Sequence, residues 1–135
     1  VGDTAGVRID NAPFILPATP PPDIDLGIWD KSMDAILARR PARLFLTHFG
    51  FSDSPAAHIA EFRERLHRWA EVAAECLGHG SSDIAAQEAF VARSHQEMQE
   101  LLGAADAEHH AFTAGLHLSF LGLARYLRKR ATTAA

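Results

Sequence analysis

Arg43-Leu44-Phe45-Leu46-Thr47-His48-Phe49-Gly50 reads as a buried strand that delivers an imidazole to its end, with a glycine behind it that permits a sharp turn. Just upstream, Pro41 stops a helix expected from about Asp25 to Arg40, with Ile28, Met33, Ile36 and Leu37 as its inner positions. Earlier still, Val7-Arg8-Ile9 and Phe14-Ile15-Leu16 are β-type runs bounded by Gly6, Pro13 and Pro17. Thr19-Pro20-Pro21-Pro22 must be extended and cannot enter a central strand. Strand, helix, strand predicts an α/β arrangement for this part of the chain. All seven prolines fall within the first 55 residues, so the grammar changes there.

Downstream the pattern is helical. Ser54-Pro55 supplies an N-cap and a proline at the first helical position. Ile59, Phe62, Leu66, Trp69, Ala73 and Cys76 then recur at spacings of three and four, and Gly78 and Gly80 end the run. A second helix is expected from Ser82 to Leu102, burying Ile84, Phe90, Val91, Met98 and Leu101, with Gly103 as its stop. A third is expected from about Asp106 to Arg130, with Phe112, Leu116, Phe120, Leu123 and Leu127 on one side. Arg128, Lys129 and Arg130 at its end complement the helix dipole.

Composition narrows the function classes. The 135 residues are 47% hydrophobic and carry a net charge of −4, so a fold-wide nucleic-acid footprint, which needs a basic face, is not expected. The single cysteine, Cys76, has no partner for an internal disulfide and sits on an apolar stripe, where it reads as a small core residue. No apolar run approaches the roughly 20 residues of a membrane span. A reducing, cytoplasmic setting follows as the expectation, with no membrane and no nucleic acid as partner.

Two short constellations carry chemistry. In Gly2-Asp3-Thr4-Ala5-Gly6 a carboxylate beside two glycines is free to reach an open site. In Leu44-Phe45-Leu46-Thr47-His48 a strand brings an imidazole to its end, where α/β proteins build their sites. Their order, with Thr-Pro-Pro-Pro and a helix bearing Trp29 and Ser32 between them, resembles the C-terminal half of a metallo-β-lactamase-fold hydrolase. The resemblance implies the C-terminal half of an αββα sandwich over residues 1–50. An all-helical extension of about three helices would follow over 51–135, as in glyoxalase II-like members.

It further implies that Asp3 bridges two divalent metal ions and that His48 ligates one of them. Zinc is the expected metal, with iron or manganese as alternatives. The implied reaction is attack by a metal-bound hydroxide on a small-molecule ester or thioester; lactams and phosphodiesters would use the same metals. The family's His-x-His-x-Asp-His motif, which supplies most ligands, is missing from this sequence. The chain therefore reads as a C-terminal fragment, inactive by itself, with no catalytic residue beyond the two ligands. A severed sandwich exposes apolar strand faces, so poor solubility or a homo-oligomer is expected.

The other histidines weigh less. His110 and His117 are seven residues apart, about 10 Å along a helix, too far for one ion. With His109 they read as surface or interface positions, and His58, His67, His79 and His95 as solvated ones. The Thr19–Pro22 stretch reads as either a substrate mouth or a rigid connection. The rival to the hydrolase is a non-catalytic helical module, in which residues 51–135 bind a partner.

Overall fold

Asp25 accepts a hydrogen bond from the Ile28 amide at 2.9 Å, and from this cap α1 (Leu26–Ala38) runs until Arg40, at φ +48°, turns the chain toward Pro41. The computed structural model describes residues 2–9, 12–22, 24–47, 50–78 and 82–134, leaving aside the side chains at 2, 112–114 and 134. Pro55 opens α2 (Pro55–Gly78), and the Ser82 side chain caps α3 (Asp83–Leu102) by accepting from the Ala85 amide. Gly103, at φ +82°, separates α3 from α4 (Ala104–Ala114). Gly115 then takes the left-handed conformation, φ +54°, ahead of α5 (Leu116–Ala134). The single helix expected over Asp106–Arg130 is thus two.

The described strands are β1 (Leu44–Leu46) and β2 (Gly50–Ser52), an antiparallel pair in the register Leu44↔Ser52, Phe45↔Phe51, Leu46↔Gly50. A 3-10 turn covers Gly2–Ala5. The chain is mostly helical, at 72% helix, and the described residues contain no αββα sandwich. The α/β expectation is corrected on this point. Val7-Arg8-Ile9 and Phe14-Ile15-Leu16 meet at a single bridge, Val7↔Leu16, with Gly6, Pro13 and Pro17 around them. Pro13 and Pro17, on either side of Phe14-Ile15-Leu16, have no N–H to donate to a longer ladder. The runs are buried all the same, which is why their apolar character resembled strand.

The chain divides into two compact units, Val1–Ala18 with Asp25–His67, and Thr19–Ile24 with Arg68–Ala135. In the first, Phe14, Met33, Leu44, Leu46, Ile59, Phe62 and Leu66 form the core. Gly6 stands at φ +76°, and a Cβ there would lie 2.6 Å from Phe62 Cδ2 and 2.8 Å from the Leu16 carbonyl oxygen, so only glycine fits. Arg65 is buried yet fully engaged. Its guanidinium lies 4.0 Å from the Phe14 ring centroid and donates to the Ile15 carbonyl and to Glu61, each at 2.9 Å. On the hairpin's other face Phe45 and Phe51, directly opposite each other, are 70% and 47% exposed.

In the second unit Phe90 is fully buried between Trp69 and Phe120, with ring centroids 5.6 Å and 5.5 Å away. Trp69 Nε1 donates to Glu97 at 2.8 Å, and Arg68 pairs with the same carboxylate. Thr19 is buried, donates to the Ser119 carbonyl at 3.1 Å and lies against Gly122 of α5, so the Thr19–Pro22 stretch packs on a helix. Cys76 is buried near the end of α2. Ile28, Ile84 and Leu101, expected inside, are exposed. Leu26 and Met33, one apolar stripe apart, hold the inner face of α1, and Ile28 is out of phase with them. Among the described residues no helix is long and apolar enough to cross a membrane.

Candidate functional site

The 3-10 turn Gly2–Ala5 is held from inside by two ring N–H donors. Trp29 Nε1, from α1, donates to the Thr4 carbonyl at 2.6 Å. His58 Nε2, from α2, meets the Ala5 carbonyl at 2.8 Å. A carbonyl only accepts, so this nitrogen carries the proton and His58 is the Nε2–H tautomer. The turn closes on itself where the Gly6 amide donates to the Asp3 carbonyl at 2.8 Å. Ala5 is fully buried at the inner end, while the Asp3 side chain is exposed at the outer end. The backbone of the turn is therefore fixed and its carboxylate faces outward.

β1 runs beside this turn. Of the two residues expected to bind metal, Asp3 occupies the turn just described, and His48 follows β1 by two positions but lies outside the described residues. Among the described residues no group of three or more His, Cys, Asp or Glu has the placement of a metal site. Compared with known proteins, the chain matches no family model, no curated protein and no solved structure.

Sequence reasoning missed His58, which read as solvated and is buried, 3% exposed. Its position one residue before Ile59, at the start of the apolar stripe, was the available signal. The Nδ1 atom is buried with no hydrogen-bond partner. Burial pushes the His58 imidazole below the ordinary histidine value of 6.5; the Ala5 hydrogen bond and Glu61 oppose the shift, and Arg8 adds to it. With the folded pKa depressed, the unfolded chain binds more protons between the two values. The stabilisation is then complete above pH 6.5 and is lost as pH falls through the folded value. Thermal melts in a pH series should show the wild type losing melting temperature below pH 6.5 more steeply than His58→Gln, which keeps a donor and does not titrate. Parallel curves would contradict the neutral buried imidazole.

The remaining histidines divide by environment. His67 Nε2 lies 2.9 Å from Asp30, which Arg63 also approaches, in the first unit. In the second, His110 is buried, and its Nδ1 meets the Asp106 carbonyl one turn back at 2.7 Å. A depression of about 520 Å³ opens among α3, α4 and α5, where Val91, Ala92, Ala111 and Leu116 supply apolar wall and His95 and His117 two imidazoles.

Proposed function

We propose that the chain contributes Asp3 and His48 to the two-metal centre of a hydrolase acting on a small-molecule ester or thioester in the cytoplasm. The observation that carries the reading is the clamped turn that holds the backbone of Asp3 beside β1, the strand that leads to His48 in the sequence. A carboxylate and a neutral imidazole suit zinc and related divalent cations. An outward carboxylate on a fixed backbone gives up only its side-chain freedom when it binds a cation. When bound, such a pair of ions supplies Lewis acidity and lowers the pKa of water to about 7. Asp3 would offset part of their charge, and His48 would act as a neutral nitrogen donor. A zinc site takes three or four protein ligands. Asp3 and His48 would be two of them.

The reading is tested on the chain itself by zinc titration followed by NMR. Resonances of Asp3 and His48 should shift together with one affinity, and Asp3→Ala should abolish the response at His48. Independent responses, or none, would remove the reading. The second reading, a non-catalytic helical module formed by residues 51–135, is favoured by the depression lined by Val91, Leu116, His95 and His117. It is the one left standing if zinc leaves both ligands unshifted.

A further inference from the structure

We infer that the depression among α3, α4 and α5 is a binding site for a small organic cation, an ammonium carried on an apolar body, with Glu88 as its charge partner. The inference is independent of the metal reading, whose residues belong to the other compact unit. At about 520 Å³ the depression falls within the range of small-molecule sites. It exists because its middle is lined by small side chains. Ala92 on α3 and Ala111 on α4 leave open the room that longer residues would fill, and Val91 and Leu116 extend the apolar wall beside them.

Polar groups stand at its two ends. Asp83 pairs with Arg128 and Phe90 packs on Phe120, so α5 runs antiparallel to α3 and brings its first turn, with His117, to the His95 end. Glu88 stands at the other end, seven residues or about 10 Å along α3 from His95. Among the described lining residues there is no Lys or Arg, and Glu88 is the one carboxylate. Its neighbours one turn away on α3 are Ile84, Ala85, Val91 and Ala92, so its own helix offers it no cation. Elsewhere in the unit the carboxylates are taken: Glu75 by Arg93, Glu97 by Arg68 and Asp83 by Arg128. Glu88 has no such partner among the described residues. A carboxylate at the end of an apolar trough repels an organic anion and attracts a cation. An apolar body seated in the trough displaces water from beside that carboxylate, which strengthens the pairing.

The test is an NMR titration of the 135-residue chain with phenethylamine, an ammonium at pH 7, beside 2-phenylethanol and 3-phenylpropionate as neutral and anionic compounds of similar size. The amine should shift the amides of Glu88, Val91, Ala92 and Leu116 saturably, with a Kd of about 1 mM. The alcohol and the carboxylate should bind more weakly by about threefold or more. Glu88→Gln should cost the amine about the same factor and leave the alcohol unchanged. Ala92→Leu fills the trough at a position where leucine suits a helix, and it should abolish binding of all three. Both substituted positions are exposed, so neither variant endangers the fold. The inference is overturned by an alcohol or carboxylate that binds as tightly as the amine, or by an amine indifferent to Glu88→Gln. Amine shifts that survive Ala92→Leu, or no saturable shift at all, overturn it equally. None of these outcomes bears on Asp3 or His48.

Discussion

Phe90→Ala should destabilise the second unit by about 3–5 kcal/mol, the range for truncating a fully buried aromatic. Phe90 has no exposed surface and touches Trp69 edge-on, at 87° between planes, and Phe120 at 47°. Alanine removes the apolar transfer term and leaves a void between two rings that are held from other sides. Trp69 is tied to Glu97 at 2.8 Å, so it is poorly placed to collapse into the gap. Domains of this size are stable by only about 5–15 kcal/mol, so the loss is a large share of the total. Thermal melting followed by circular dichroism at 222 nm measures it, with Phe90→Leu as a control that keeps most of the volume. A Phe90→Ala chain melting like the wild type would mean that the three rings do not pack together as described.

Gly122→Ala should have the opposite sign from the same exchange in an ordinary helix. At an unobstructed interior position alanine gains about 1 kcal/mol over glycine. Here a Cβ on Gly122 would lie 1.9 Å from the Thr19 carbonyl oxygen and 2.9 Å from its carbon. The obstacle is backbone, held in turn by the Thr19 hydroxyl on Ser119 at 3.1 Å, so it cannot rotate aside as a side-chain end would. Overpacking of this kind costs about 1–3 kcal/mol. After the propensity gain is subtracted, a net loss of about 2 kcal/mol or less is expected, a fall of several degrees in melting temperature. The informative control is Gly78→Ala, where a Cβ meets nothing within 4 Å. If Gly122→Ala raised the melting temperature as much as Gly78→Ala, Thr19 would have to sit elsewhere.

The helices were legible where the sequence supplied both a period and punctuation. Ser54-Pro55 and Ser82 mark the starts of α2 and α3, and the stripe from Ile59 to Cys76 is buried as read. The break at Gly115 was not legible, because Leu116, Phe120 and Leu123 carry the same apolar phase onward while the left-handed turn is a property of the backbone. The sheet was over-read for a different reason. Three-residue apolar runs carry no period, and burial in irregular backbone selects the same residues as burial in a strand. At the candidate site, Asp3 was visible as a motif. The partners of its turn were not, since Trp29 is 25 residues from Thr4 and His58 is 53 from Ala5, and only the folded backbone brings them together.

Cys76 offers a use of its burial that has nothing to do with chemistry at a site. It is the chain's one thiol, and it lies 8% exposed on the final turns of α2. A sulfur in that position reacts with a disulfide reagent only during excursions that lift the helix end away from its neighbours. The rate of its labelling is therefore a clock for local opening, built into the native sequence and readable without adding a fluorophore or a tag.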